Sequence, residues 1–272
     1  MTVNCKGKLI DLSTPKVMGI LNLTPDSFFD GGKYKTEDDF LSQAEKMLKE
    51  GATFIDLGGY SSRPGAFHVS EEEEVKRVIP AIKLLIKHFP EILISIDTFR
   101  SSVARKAIEE GASLINDISG GELDPYMFQT VSNLQVPYIL MHMKGNPQNM
   151  QQNPLYENVT LEVNHYFAQK TAQLRQLGVH DIILDVGFGF GKTLEHNYEL
   201  LKNHNLIGSK SFPTLVGISR KSMIYKALNI MPQEALNGTT VLNTIALQKG
   251  ASILRVHDVK EAMECIQLVH YI

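Results

Sequence analysis

The sequence has no tryptophan and only two cysteines, Cys5 and Cys265, among its 272 residues. Neither cysteine belongs to a CxxC pair or lies at a metal-binding spacing from a histidine. This argues against a disulfide framework and against a thiolate zinc site. We therefore expect two plain thiols.

Long apolar runs and strong charge are also missing. No stretch approaches the ~18 consecutive apolar residues of a membrane-spanning helix, and the opening segment MTVNCKGKLIDLS lacks the apolar core of a signal peptide. The formal net charge is −3, and the absence of a basic run gives no electrostatic support for binding nucleic acid or a membrane surface. We expect a cytoplasmic protein that acts on small molecules.

Short runs rich in β-branched residues recur along the chain and predict eight strands. The predicted strands are Val17–Leu21, Thr53–Leu57, Ile92–Ile96, Leu114–Ile115, Tyr138–Met141, Ile182–Leu184, Thr214–Ile218 and Ile253–Val256. Segments with helical periodicity lie between them: Glu37–Glu50, Glu71–His88, Val103–Glu110, Leu155–Leu177, Asn197–Asn203, Gln233–Lys249 and Val259–Leu268. Glycine follows four of these helices, as expected for a left-handed C-terminal cap.

The alternation of strands and helices is typical of a parallel sheet covered by helices, and eight units without a linker predict a closed (β/α)8 barrel, the TIM barrel. Such a barrel needs ~250 residues, which this chain provides. A doubly wound sheet is the alternative. We expect residues 1–272 to form a single domain, with a short hairpin in the first sixteen residues at the N-terminal end of the barrel.

A polar residue occurs at or just after the end of every predicted strand. These residues are Asn22, Asp56, Asp97, Asn116, His142, Asp185, Ser219 with Arg220 and Lys221, and Arg255 with His257. In a barrel these positions meet at the C-terminal end, where enzymes of this fold keep their sites. One such residue alone, for example Asp97, is equally well explained as a helix N-cap. Eight together would pair incompletely unless a ligand with both donors and acceptors completes them.

The other motifs are less informative. Gly187–Lys192 resembles a phosphate loop but lacks the spacing of a dinucleotide fingerprint or a P-loop. His142 has no second ligand at helical spacing and is interpreted as a loop or core histidine. Asp117 is interpreted as a turn or cap residue, and Glu71–Glu74 as the solvated first turn of a helix. The pair Phe28–Phe29 either folds onto the core or covers a ligand.

Eight segments carry a resemblance to a known family. They are NLTPDSFFDGG, SSRPGA, SIDTFR, NDISGG, MHMKGNPQNMQ, DVGFGFGK, GISRKS and RVHDV, and they span nearly the entire chain in the family's order. In these segments the chain resembles the dihydropteroate synthases, pterin-binding enzymes with a TIM barrel. The family often has Thr-Arg-Pro-Gly where this chain has Ser62 before Arg63, and a more polar pair where it has Phe67–His68. Because serine keeps the hydroxyl, we expect function to be retained.

The resemblance implies a transferase of folate biosynthesis. It would condense 6-hydroxymethyl-7,8-dihydropterin diphosphate with 4-aminobenzoate and release 7,8-dihydropteroate and diphosphate, with Mg²⁺ as cofactor and sulfonamides as inhibitors. A homodimer through the last helices is also implied. Lys260–Ile272 would supply such a face, although an apolar helix face packed against the barrel gives the same pattern. Two alternatives remain, a pterin-dependent methyl-transfer domain and a non-catalytic pterin-binding paralogue. The SRPG loop and the pair formed by Arg255 and His257 argue against both.

The resemblance also implies a role for individual residues. Pterin contacts are implied for Asp97, Asn116, Asp185, Lys221, Met141 and Ile118. Diphosphate contacts are implied for Asn22, Arg255 and His257, with Asn22 as the metal ligand. Aminobenzoate contacts are implied for Phe28, Ser62, Arg63, Pro64, Phe190, Lys221 and Ser222. The implied catalytic groups are Asp97, Lys221, Arg255 and His257, acting in an SN1-like step. Ordinary core packing remains equally open for Met141 and Ile118, as does a structural role for Asp56.

Overall fold

The computed structural model describes residues 1–23, 36–60, 69–145, 150 and 154–272. Two antiparallel strands begin the chain, β1 (Thr2–Cys5) and β2 (Lys8–Asp11). Eight strands follow: β3 (Lys16–Asn22), β4 (Phe54–Gly58), β5 (Ile94–Asp97), β6 (Leu114–Asp117), β7 (Tyr138–Met141), β8 (Ile182–Asp185), β9 (Thr214–Val216) and β10 (Ile253–Val256). All neighbours are parallel, and β10 pairs with both β9 and β3, which closes the barrel. The predicted TIM barrel is confirmed, and the doubly wound sheet is wrong.

The described residues contain nine α-helices. They are α1 (Glu37–Lys49), α2 (Glu71–His88), α3 (Ser101–Glu109), α4 (Met127–Leu134), α5 (Val159–Gln176), α6 (Leu194–Lys202), α7 (Ser222–Leu228), α8 (Leu236–Gln248) and α9 (Val259–Val269). None of them is long and apolar enough to cross a membrane. Helices α4 and α7 have no counterpart among the predicted helices, because seven or eight residues cover too few turns for a clear period.

Local sequence signals set most helix ends. Thr36 caps α1 by accepting the backbone N–H of Asp39 at 3.1 Å, and Asn158 caps α5 by accepting that of Leu161 at 2.9 Å. The predicted start of α5 at Leu155 is therefore wrong, since the cap fixes the start at Val159. The four glycines expected to end helices, Gly51, Gly111, Gly178 and Gly250, all have positive φ.

The floor of the barrel is an apolar layer inside its N-terminal end. Each barrel strand or, for β5, the residue before it supplies one side chain: Met18, Phe54, Leu93, Leu114, Ile139, Ile183, Leu215 and Ile253. The hairpin adds Val3, Cys5, Ile10 and Leu12 to this cluster. The hairpin predicted at the N-terminal end is confirmed. Cys5 and Cys265 are free and buried, as expected.

Strand periodicity places a second, largely polar layer above the floor, because side chains two residues apart point to the same face. Two residues after the floor positions come Ile20, Asp56, Ser95, Asn116, Met141, Asp185, Gly217 and Arg255. A further step of two reaches Asn22, Gly58, Asp97 and His257. We call this C-terminal end, with Lys221 from the turn after β9, the mouth. The main core lies on the other side of the strands, against the helices.

Candidate active site

Arg255 is the centre of a charged network in the mouth. Its Nε donates to Asp56 Oδ2 at 2.6 Å, and its Nη2 donates to Asp97 Oδ2 at 2.8 Å. Asp56 is fully buried and also accepts Asn116 Nδ2 at 3.2 Å and 3.3 Å on its two oxygens. The network therefore joins four strands, β4, β5, β6 and β10. Asp56 is the residue that orients both the guanidinium and the amide.

Burial and like charge set the protonation of this network. Burial, followed by repulsion from the Asp56 carboxylate, raises the pKa of Asp97 to about 7. Burial lowers the pKa of Arg255, but the two carboxylates outweigh it and raise the pKa above its ordinary value. Arg255 is thus always charged, whereas Asp97 changes its charge near neutral pH. Asp97 does not cap a helix, since the N-cap residue of α3 is Arg100.

Asp185 and Lys221 supply a second pair of opposite charges. Asp185 Oδ1 accepts the backbone N–H of Gly187 at 2.8 Å, and Lys221 Nζ donates to the carbonyl of Phe188 at 2.7 Å. Burial raises the pKa of Asp185, and the Lys221 ammonium opposes this increase. Burial lowers the pKa of Lys221 to about 8, and Asp185 opposes that decrease. A carboxylate and an ammonium side by side can serve a ligand edge that has both donors and acceptors.

Two further predicted residues lie at the rim of the mouth. A Cβ built on Gly58 would lie 3.5 Å from Asn22 Oδ1 and 3.3 Å from Asp97 Cβ, which places the Asn22 amide beside Asp97. His257 Nδ1 lies 3.1 Å from Ser219 Oγ, and the same hydroxyl accepts the His257 backbone N–H at 3.2 Å. The end of β3 and the residue after β10 thus reach the same opening.

Two residues that follow strands do not join the mouth. Arg220 pairs with Asp258 through two hydrogen bonds of 2.8 Å and 2.9 Å. His142 is buried, and its Nδ1 lies 3.0 Å from Lys192 Nζ. Burial, followed by the Lys192 charge, lowers the pKa of His142 to about 2, so the imidazole is neutral. The interpretation of His142 as a core histidine is confirmed.

The apolar and aromatic predictions fall on the walls of the mouth. Met141 and Ile118 are buried at the ends of β7 and β6. Lys221 Nζ lies 4.9 Å from the centroid of the Phe190 ring, a cation–π contact. Ser222 is half-buried and begins α7. The other four aminobenzoate positions, Phe28, Ser62, Arg63 and Pro64, lie outside the described residues, and their roles stay predictions.

Comparison with known proteins identifies this arrangement. A family model described as "Pterin binding enzyme" matches residues 18–257. The chain belongs to this pterin-binding enzyme family. The dihydropteroate synthase of Escherichia coli (strain K12) is 46% identical over 271 residues, which cover 99% of this chain and 95% of that protein. The resemblance carried by the eight sequence segments is confirmed.

Solved structures of family members are similar over the full chain. The Yersinia pestis dihydropteroate synthase with a sulfonamide drug complex has a TM-score of 0.93 and 42% identity, covering 100% of this chain and 98% of that chain. The Xanthomonas albilineans dihydropteroate synthase in complex with 7,8-dihydropteroate has a TM-score of 0.88 and 33% identity, with the same coverage. This chain therefore shares the fold of pterin-binding enzymes from its first strand to its last helix.

In this pterin-binding enzyme, Glu74 is not part of a solvated helix turn, so that sequence-based interpretation is wrong. Glu74 is fully buried and forms an ion pair with Arg100. The Arg100 guanidinium also donates to the carbonyl of Val69 at 2.7 Å and lies 5.5 Å from the centre of the Tyr60 ring. Arg100 thus links Tyr60, shortly after β4, to Val69, just before α2. Sequence reasoning missed Arg100 because its partners are distant along the chain.

Proposed function

We propose that this protein condenses 6-hydroxymethyl-7,8-dihydropterin diphosphate with 4-aminobenzoate to give 7,8-dihydropteroate and diphosphate, a step of folate biosynthesis. Family membership and the names of its relatives support this activity. The observation that carries it is the mouth, where Asp185, Asn116 and Arg255 from three strands meet Lys221 from the turn after β9. Such a set matches a flat heterocycle that bears an anionic leaving group.

The pterin binds through its aminopyrimidinone edge, which offers N–H donors beside a carbonyl acceptor. Asp185 accepts from the ring N–H and the 2-amino group. Asn116 uses its Nδ2 on Asp56, so its Oδ1 accepts from the adjacent pterin edge. Lys221 commits one proton to Phe188 and donates the others to the carbonyl side of the ring. Charge-assisted bonds of this kind are stronger than neutral ones.

Met141 and Ile118 are the apolar walls of the pterin pocket. Met141 ends β7, Ile118 directly follows the neighbouring strand β6, and both are nearly fully buried. Their side chains shield the ring faces from water. This exclusion strengthens every polar contact to the ring edge.

The diphosphate leaves towards Arg255, His257 and Asn22. Two of the Arg255 donors bind Asp56 and Asp97. These two hydrogen bonds orient the guanidinium group across the mouth. His257 is oriented through its Nδ1 side by Ser219. Both side chains can donate to phosphate oxygens.

Asn22 is the proposed protein ligand of Mg²⁺. The described residues contain no group of three or more His, Cys, Asp or Glu side chains that could hold a metal ion. An amide oxygen at the rim fits Mg²⁺, which prefers oxygen donors and takes most of them from water and substrate phosphates. When bound, Mg²⁺ supplies charge neutralisation for the departing diphosphate.

The reaction proceeds by a dissociative, SN1-like route. The bond between the pterin methylene carbon and the bridging oxygen breaks, and the electron pair leaves with diphosphate. Asp97, anchored by Arg255, offsets the positive charge that develops on the pterin. The amine of 4-aminobenzoate then attacks the carbon and afterwards releases its proton. Phe190, Lys221 and Ser222, together with Phe28, Ser62, Arg63 and Pro64, position the aminobenzoate.

The assay combines the purified protein, both substrates and Mg²⁺, and follows diphosphate and dihydropteroate together. Equal release of both products supports the proposal, and pterin binding without release would indicate a non-catalytic module. The route is tested with an isotope label in the bridging oxygen. Without aminobenzoate, we expect the label to move from the bridging oxygen to other oxygens of the diphosphate. If the label stays in the bridging position, the displacement is concerted.

We also propose a cytoplasmic homodimer. Two free, buried cysteines fit a reducing compartment. The exposed apolar side chains Leu268, Tyr271 and Ile272, at the end of the chain, fit the predicted dimer segment. Light scattering of the purified protein should give twice the mass of one chain. The mass of a single chain would contradict the dimer.

A further inference from the structure

Lys192 is a buried cation that has no role in the reaction described above. Its residue is only 4% exposed. Its Nζ lies 2.9 Å from the Phe190 carbonyl, 3.0 Å from His142 Nδ1, 3.1 Å from the Gly187 carbonyl and 3.2 Å from the His142 carbonyl. An ammonium has three protons, so these four acceptors satisfy it completely. Burying such a charge is costly without this full set of partners.

The acceptors of Lys192 belong to two different parts of the barrel. His142 follows β7, whereas Gly187 and Phe190 belong to the loop after β8. The same loop is held from another side, because Gly189 N–H donates to Asn197 Oδ1 at 2.7 Å. A side chain is excluded at Gly187, since a Cβ there would lie 2.1 Å from the His142 carbonyl oxygen. The loop therefore has one tightly defined path.

This loop contacts both charged groups of the proposed pterin pocket. Its Gly187 N–H binds Asp185, and its Phe188 carbonyl binds Lys221 Nζ. We propose that Lys192 is a positioning residue of the pterin pocket. Its ammonium ties the loop Gly187–Phe190 to the end of β7 and so sets the positions of Asp185 and Lys221. This inference rests on the proposed function.

The charge of Lys192 also acts on Asp185. Burial raises the pKa of Asp185, whereas Lys221, Arg255 and Lys192 lower it. Burial lowers the pKa of Lys192 to about 7, with Asp185 opposing and Lys221 reinforcing the decrease. The neighbouring His142 is neutral, because its pKa is about 2. Below neutral pH Lys192 is therefore charged and helps to keep Asp185 ionised.

The test uses Lys192→Met, which keeps the length of the side chain and removes its charge. Calorimetric titration with dihydropterin diphosphate alone should show binding weakened about tenfold, as expected for a displaced polar contact. Pterin affinity should fall at low pH as Asp185 becomes protonated, and we call this fall the acid limb. In Lys192→Met the acid limb should move to higher pH, because Asp185 then protonates more readily. The matched control is Lys202→Met, an exposed lysine in the last turn of α6, which should bind as the wild type does.

A role in folding alone would lower the melting temperature and leave the affinity and acid limb of the folded protein at wild-type values. That result would overturn the inference. If Lys192→Met does not fold, His142→Leu removes one acceptor and keeps the lysine. It should weaken pterin binding with an unshifted acid limb, and wild-type affinity would overturn the inference. The wild-type assay separates the two proposals, since a wild-type protein that forms no dihydropteroate contradicts the proposed function.

Discussion

The two ends of the barrel interior are built from the same strands and differ in almost every property. The floor is apolar and covered by the hairpin. Two residues further along, five of the eight strands place polar side chains inside the barrel: Asp56, Ser95, Asn116, Asp185 and Arg255. Floor side chains stabilise the fold by leaving water. Mouth side chains include charges that burial disfavours, and clusters of such groups are typical of functional sites.

Strand β8 shows the contrast with a single residue type. Asp181, just before the strand, accepts the backbone N–H of Asn4 in the hairpin at 3.0 Å. Asp185, at the end of the strand, lies in the mouth, where burial raises its pKa. Asp181 ties the hairpin to the barrel, whereas Asp185 is the carboxylate that the proposed function assigns to the pterin. Chemical type alone does not assign function, whereas position along the strand does.

The largest effect is expected at the floor. Phe54→Ala should lower the free energy of unfolding by about 3–5 kcal/mol, because it leaves a cavity where a fully buried ring packs. Denaturant unfolding measures this loss. The kcat per folded molecule should not change, and a decrease in kcat would contradict the separation of the two ends.

At the mouth, Arg255→Ala should lower kcat by about 10²–10³-fold, the usual loss when a charge-stabilising group is removed. Pterin should still bind in calorimetric titration, since Arg255 is assigned to the leaving group. Arg255→Lys keeps the charge without the fork and should give an intermediate kcat. An equal loss of pterin affinity would contradict this assignment.

The aspartates at the two ends of β8 form a matched pair. Asp185→Ala should weaken pterin binding by about 1–3 kcal/mol, because it leaves the pterin N–H donors unsatisfied. Asp181→Ala should leave pterin affinity unchanged and increase hydrogen exchange in the hairpin. Comparable loss of affinity in both variants would mean that the two ends are not independent.

The last prediction concerns a pH dependence of stability. The pKa of Asp97 is raised from 3.8 to about 7 in the folded protein, so the folded state binds the proton more tightly than the unfolded state. The stability that this proton contributes is present below pH 3.8 and is lost as pH rises through about 7. Asp97→Asn should remove this dependence in urea titrations across that range. An unchanged slope would place the titration on another group.

Local sequence patterns were sufficient for the barrel. β-branched runs, helical periodicity and glycine caps act over a few residues, so they predict strands and helices directly. The short helices α4 and α7 escape this prediction because their periods are too brief. The predicted start of α5 is too early because periodicity alone does not reveal the cap that Asn158 forms. The hairpin followed from its alternation of polar and apolar residues.

The partners of individual mouth residues could not be predicted in the same way. Asp56 lies 199 positions from Arg255 in sequence, and no local pattern links them. Lys192 follows a glycine-rich loop that suggested phosphate binding, whereas its ammonium is used entirely within the protein. Glu74 belonged to an acidic run typical of a solvated helix end, but Arg100 provides it with a buried partner.

The sequence by itself determined the order of strands and helices, the polar residue at each strand end and, through eight segments, the family. Only the tertiary structure decided which of those residues share a charge network, which point elsewhere, and which unsuspected cations support them. The physical reason is distance along the chain. Periodicity and capping act between near neighbours, whereas desolvation and ion pairing depend on groups that only closure of the barrel brings together.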